Sequence, residues 1–393
     1  MGNNICCSES SIDSLAHYNE ILKKFELDGA LTNDYLKYEC MKQSKSSDIK
    51  TTDNYLWLCD KNIEHIDENA FKGFSHFSYL NLSSNNLKRF SFGNEIKITS
   101  LYIVSNDIDE LDKEMFDNVC ELRTLHLENN QIAKANNDTF DYLNDLNLLD
   151  LSGNKLRVLK EGLFENLVNL VELKLNCNKI KKINKNVFNS SNKYKIERID
   201  LSDNLIETFH KHVFKQLKKL KNLNLSKNKL TCLPKNIFCY CRMLDLSNNQ
   251  IEDVDVLTFS RLKCLESLNL SNNRLKYFKQ LNLNKLKDLD LSVNQIESID
   301  EDAFSNFKNL SSLNLSTNKI AYLKEDIFLN ISQLEKLDLS LNGYEYKFLA
   351  ENKHVIAKND TKVFVPIRLV NHFMCLFKAK CNSNCYLCNP TTN

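Results

Sequence analysis

Glycine and proline are scarce, 7 and 3 among 393 residues. A glycine-rich phosphate loop is therefore absent, and reversals of the chain fall to other residues, above all to the abundant asparagine. Charge of one sign is lacking too: 52 Lys and Arg against 51 Asp and Glu leave a net +1. Such a balance offers no global field for nucleic acid or for an acidic substrate, and no nucleic acid partner is expected. An apolar run over residues 363–377 is broken by Pro366, Arg368 and His372 and is too short and too interrupted to span a bilayer. The eight His show no H-E-x-x-H pairing, and the acidic residues recur at intervals instead of converging. Neither catalysis nor a cofactor is expected.

What is present is a repeat. Leu149-Asp150-Leu151-Ser152-Gly153-Asn154-Lys155-Leu156 reads L-x-L-x-x-N-x-L, and the pattern recurs along most of the chain. Its first copy, Leu56 to Ile63, carries Lys61 where the asparagine belongs, as an edge coil can. In the later copies the position is held by Asn85, Asn106, Asn130, Asn154, Asn178, Asn204, Asn228, Asn249, Asn273, Asn294, Asn318 and Asn342. The period is about 24 residues, with shorter coils of 21 ending at Asn106, Asn249 and Asn294 and one of 26 ending at Asn204. Leucines two apart point the same way from a strand, so they are assigned to the interior and the residues between them to the surface. Stacked coils then pair as a parallel sheet. Each asparagine is placed to satisfy buried backbone groups of the neighbouring coil. On the far side most coils place a phenylalanine (Phe71, Phe116, Phe140, Phe164, Phe188, Phe214, Phe238, Phe259, Phe304, Phe328), a stripe read as core packing. The coil ending at Asn106 has no room for that segment.

These residues resemble the leucine-rich repeat family, in its 24-residue, Phe-containing class, over residues 55–345. The resemblance implies an α/β solenoid, a horseshoe with a parallel sheet on its concave face that binds another protein. It further implies kinship with extracellular receptors and matrix proteins, in which Cys59 would match a cysteine of the N-terminal cap, with Cys40 as its partner or both as free thiols. The expected domains are an acylation segment at 1–10, a helical N-terminal cap and polar linker at 11–54, the solenoid of about 13 coils at 55–345, and an irregular C-terminal cap with four cysteines at 346–393.

The two ends carry the compartment signals. Met1-Gly2-Asn3-Asn4-Ile5-Cys6-Cys7 has neither a basic segment nor an apolar run, so no cleavable secretory signal is expected there. It resembles an N-myristoylation start at Gly2, with Cys6 standing where Ser or Thr is usual. A single acyl chain holds a protein only marginally, so Cys6 and Cys7 would supply the second anchor as palmitoyl sites. The reading is a lipoprotein at the cytoplasmic face of a membrane; secretion or the cell surface is the alternative. From Ser11 to Tyr38 apolar residues at spacings of three and four predict a helix covering the first coil, interrupted at Gly29 and Asn33. At the other end Cys375, Cys381, Cys385 and Cys388 are read as disulfides or free thiols, with one structural zinc ion as the lesser alternative.

Specificity is sought where exposed strand positions depart from the Asn/Asp/Ser background. Tyr79, Tyr102, Val104, His126, Glu128, Lys174, Arg198 and Met243 do so, and aromatic or Arg side chains on an open sheet are typical binding anchors. Residues 171–235 hold 16 Lys or Arg against 5 acidic side chains and are read as a solvated flank. So is the column Asp150, Asp200, Asp245, Asp290 and Asp338. The function expected is a non-catalytic protein-binding scaffold or adaptor, or else an extracellular recognition protein of the receptor or matrix type.

Overall fold

The computed structural model describes residues 29–32, 34–36, 39, 55–188, 194–235, 240–324, 327–328 and 330–343, together with the backbone of 362–364. The chain divides into two compact units, residues 1–220 and 221–393.

In the first unit the strands Tyr55–Trp57, His76–Asn81, Ile96–Tyr102, Thr124–His126, Leu148–Asp150, Glu172–Lys174 and Arg198–Asp200 pair side by side, each parallel to the next. The repeat fixes their register: Leu56, Leu80, Leu101, Leu125, Leu149, Leu173 and Ile199 stand opposite one another and are buried. A slip of one residue would turn every one of them out to solvent. The second unit repeats the arrangement with Asn222–Asn224, Met243–Asp245, Ser267–Asn269, Asp288–Asp290, Ser312–Asn314 and Lys336–Asp338. Lys362–Phe364, within the segment expected to be an irregular cap, adds a further parallel strand to Lys336–Asp338. Each unit is thus a parallel β-solenoid with a leucine interior.

The asparagine ladder closes each coil onto the one before it. Asn154 is typical: its Oδ1 accepts from the Ile132 amide at 3.0 Å, and its Nδ2 donates to the Leu127, Leu151 and Ser152 carbonyls at 3.0, 3.1 and 3.1 Å. The edge coil without its own ladder residue is served from behind, since Asn85 accepts from both the Lys61 and Ile63 amides at 3.0 Å.

Immediately before every ladder asparagine the backbone turns left-handed. Ser84, Ser105, Asn129, Cys177, Asp203, Lys227, Asn248, Asn272, Val293, Thr317 and Leu341 all have φ between 52 and 57°, and Gly153 has 65°. Eleven of these twelve positions therefore carry a side chain where glycine is preferred. The tight exit from the strand is imposed by the coil, at a local conformational cost.

Phenylalanines stack along the far side of the core, with Phe116 to Phe140 at 5.8 Å, Phe140 to Phe164 at 6.5 Å and Phe164 to Phe188 at 5.7 Å. Phe278, Phe304 and Phe328 do the same in the second unit at 5.8 and 5.6 Å. Phe238 lies outside the described residues. The coil ending at Asn106 was expected to leave a gap, but Phe90 and Phe92 fill it. Phe92 sits 5.0 Å from Phe71, and Phe90 sits 5.4 Å from Phe116. Two rings from a short coil replace one from a long coil.

The helix expected over 11–38 falls mostly outside the described residues, and where it is described it needs correction. Ala30–Leu31 is a strand, parallel to His65–Ile66, and only Asp34 to Leu36 and Glu39 are helical. The reason is Gly29, at φ +62, where an added Cβ would stand 2.8 Å from the Glu64 side chain. The chain turns there and runs into pairing with the first coil, which apolar spacing alone does not foretell.

Candidate partner-binding face

Parallel pairing in register carries each surface position of one coil alongside the same position of the next. In the first unit this register, with diagonal contacts from Tyr79 to Trp57 and to Tyr102, assembles an aromatic ladder. Tyr55 and Trp57 flank Tyr79 with ring centroids 5.7 and 4.6 Å away; Tyr79 meets Tyr102 at 4.6 Å, and Tyr102 lies flat on His126 at 4.3 Å with only 6° between planes. The sequence singled out Tyr79, Tyr102 and His126 and passed over Tyr55 and Trp57, each 44% exposed. Those two sit in the irregular first copy, at the same strand offsets as Tyr79 and Asn81, and offset was the signal that could have found them.

Beyond His126 the ladder becomes ionic. The His126 Nδ1 stands 3.2 Å from Glu128 Oε1. Lys174 Nζ lies 3.1 Å from Asp150 Oδ2, and Arg198 grips Glu172 Oε2 through Nε at 3.0 Å and Nη2 at 2.7 Å. Tyr79, Tyr102, Val104, His126, Glu128, Lys174 and Arg198 thus share one face of one unit. Met243 stands on the corresponding face of the second unit, exposed, among Asn222, Asn224, Ser267 and Asn269.

Partial burial marks the ladder electrostatically. Burial pushes the Tyr79 phenol above its ordinary 10.0, with the neighbouring Tyr102 adding to the effect. Tyr102 is raised by burial and then by the Glu128 carboxylate. For Lys174 burial alone would lower the ammonium, but the hydrogen bond and charge contact with Asp150 outweigh it and leave the group above its ordinary value.

The aspartate column is solvated only in part: Asp150 is buried, while Asp200, Asp245, Asp290 and Asp338 are half-buried. Asp150, Asp200, Asp290 and Asp338 each turn one carboxylate oxygen back onto the amide and hydroxyl of the serine two residues on, as in Asp150 Oδ1 to Ser152 N at 3.0 Å and Oγ at 2.6 Å. Asp245 holds the Ser247 amide in the same way. A short acidic side chain closing on its own backbone stabilises a turn, so the Asp-Ser pair belongs to the strand exit. Asp150 is 4% exposed.

On the Lys-rich flank Arg157, Lys179, Lys181 and Lys182 surround the exposed Val158 in an open depression. Cys59, Cys120, Cys177, Cys232 and Cys264 are free thiols, with Cys177, Cys232 and Cys264 exposed. Cys40, the acylation residues Gly2, Cys6 and Cys7, and the terminal Cys375, Cys381, Cys385 and Cys388 lie outside the described residues. Among the described residues no helix is long and apolar enough to cross a membrane.

The family model described as leucine rich repeat matches residues 96–156, 146–193, 194–251, 241–296 and 284–343, and that of the BspA type leucine rich repeat region matches 5–123. No curated protein matches the chain by sequence. Among solved structures the chain is similar to one from the Drosophila Toll–Spätzle complex, with 22% identity and a TM-score of 0.63 over 78% of this chain and 47% of that one. It is also similar to the leucine-rich repeat domain of APL1B, with 22% identity and a TM-score of 0.60 over 90% and 93% of the two chains. A third likeness is to the LRIM1/APL1C complex, at 21% identity and a TM-score of 0.57 over 74% of this chain and 48% of that one. The chain therefore spans about half the length of the Toll–Spätzle and LRIM1/APL1C chains it matches.

Proposed function

Because the chain belongs to the leucine-rich repeat family, we propose that it is a non-catalytic scaffold that binds another protein through the aromatic and ionic face of its first unit. The observation that carries this reading is the ladder Tyr55, Trp57, Tyr79, Tyr102 and His126. Its rings lean on one another, so much of their flat faces is spent inside the ladder and the edges meet solvent. Bases and sugars are bound by stacking on free ring faces, and a partly self-stacked ladder offers few of those. Rigid aromatic edges flanked by Glu128, Lys174 and Arg198 instead suit the mixed apolar and polar surface of a protein. Spätzle and the LRIM1/APL1C assembly are named in the structures of similar chains, which supports a protein as the class of partner.

The exposed thiols of Cys177, Cys232 and Cys264 favour a reducing compartment. Acyl groups on Gly2, Cys6 and Cys7 would then hold the scaffold at the cytoplasmic face of a membrane. Intact mass of the chain from its native cell reads this directly. Myristoyl and palmitoyl increments support anchoring; an unmodified N-terminus, or glycans on the N-x-S/T sequons Asn189-Ser190-Ser191 or Asn359-Asp360-Thr361, would refute it.

The binding face is tested with a photo-crosslinking amino acid at position 57 or 102 in the native cell. A discrete protein adduct is expected from both, and none from position 161 on the far segment. The triple variant Tyr102→Ala, His126→Ala, Arg198→Ala should abolish the adduct formed at position 57 while keeping the circular dichroism spectrum. Equal crosslinking from the ladder and from position 161 would overturn the assignment.

A further inference from the structure

The sheet register sets His126 directly beside Asp150, and Glu128, two residues beyond His126 on the same coil, points to the same side. One ligand atom from each of the three side chains falls within 4.8 Å of the others. The surroundings are largely closed, with side chains 15% exposed for His126, 22% for Glu128 and 6% for Asp150. The ring of Tyr102 lies parallel against the imidazole and holds its plane.

The three groups are unequally satisfied. Asp150 spends Oδ1 on Ser152 and presents Oδ2 to the Lys174 ammonium. Glu128 turns Oε1 to His126, and its Oε2 is buried with no hydrogen-bond partner. A carboxylate oxygen removed from water and left unpaired is unfavourable. Here it belongs to a cluster that also holds an imidazole nitrogen and a second carboxylate.

We propose that His126, Glu128 and Asp150 form a binding site for a divalent transition-metal ion of the zinc type. One nitrogen and two oxygens suit zinc, whereas calcium and magnesium prefer oxygen donors alone. Around a tetrahedral ion with bonds of about 2.1 Å the donors stand roughly 3.4 Å apart, so the present separations close by small rotations of Glu128 and His126. Lys174 is the competing cation. Its side chain is 36% exposed, and its flexible stem lets the ammonium withdraw to solvent when the ion enters. Three protein donors leave a fourth position for water or for a side chain of a bound partner. Because the ion binds the chain alone, the site stands whether or not the partner-binding reading does.

Cobalt(II) is the probe, added to the purified full chain and read by visible absorption. One equivalent should produce a four-coordinate ligand-field spectrum without the near-ultraviolet charge-transfer band of a thiolate ligand, which separates this site from the cysteines. Zinc(II) should displace it. His126→Gln and Glu128→Gln, each checked by circular dichroism, should lose the spectrum. Lys174→Met should tighten binding by about tenfold, through removal of a neighbouring positive charge. Unchanged binding in His126→Gln and Glu128→Gln, a thiolate band in the wild type, or unchanged affinity in Lys174→Met would overturn the proposal.

Discussion

Replacing Asn154 by alanine tests the central device of the fold. The side chain is 5% exposed, so its partners inherit no water when it goes. Two of them belong to the preceding coil, the Ile132 amide and the Leu127 carbonyl. The Leu151 and Ser152 carbonyls belong to its own. Each buried group left unpaired costs about 1 to 3 kcal/mol. Carbonyls retain a second lone pair and share the same NH2 group, so the Ile132 amide is weighted most heavily and the total is placed at about 3 kcal/mol. Lys155→Ala, at the exposed neighbouring position, should stay within about 0.5 kcal/mol. Stability in a solenoid is nearly a sum over coils and their interfaces, so a global urea midpoint is paired with a local measurement. Hydrogen exchange at the Ile132 amide should quicken by about 100-fold, since each 1.4 kcal/mol is a factor of ten. If that amide keeps its wild-type protection, or if Asn154→Ala costs no more than Lys155→Ala, the ladder does not hold the coils together as argued.

Val293→Gly should stabilise the second unit by about 1 kcal/mol in urea unfolding, because a β-branched residue at φ 53° is relieved and its side chain, 45% exposed, gives up little burial; a loss of stability would refute the strain. Phe164→Ala, which removes a fully buried ring between Phe140 and Phe188, should cost about 3 to 5 kcal/mol by the same measurement. Burial raises the folded-state pKa of Tyr79 and Tyr102 above 10.0, so the stability these phenols contribute is complete below that pH and is lost as pH rises through their raised values. An ultraviolet difference titration should show late-ionising tyrosines, one of which disappears in Tyr102→Phe; no late component would remove the burial argument.

Periodicity alone made the scaffold legible. Leucines two apart, an asparagine at fixed offset and a phenylalanine on the far side dictated the strands, the ladder and the spine, because each is a local pattern repeated in register. What escaped was whatever depends on conformation or on neighbours from another coil. The left-handed residue before each asparagine was hidden because only Gly153 advertises it. The Asp-Ser pairs read as solvent-facing polarity, since nothing in their order shows Asp150 folding back on Ser152. Phe90 and Phe92 lie in a coil too short for the usual phenylalanine segment, so the spine seemed to break there. Of the face, Tyr79, Tyr102 and His126 were found as departures from the background, while their stacking and the convergence of His126, Glu128 and Asp150 needed the register between coils.

The ladder also has a direction. Asn106, Asn130, Asn154, Asn178 and Asn204 in the first unit, and Asn249, Asn273, Asn294, Asn318 and Asn342 in the second, each accept from an amide of the coil made before them. A coil leaving the ribosome is therefore still open at its exit turn until about 20 further residues have emerged with the asparagine that closes it. Synthesis and folding proceed in the same sense, and at every moment of growth the newest coil waits on its successor. A pause in translation between two coils would leave that one exit turn unfinished and those before it closed.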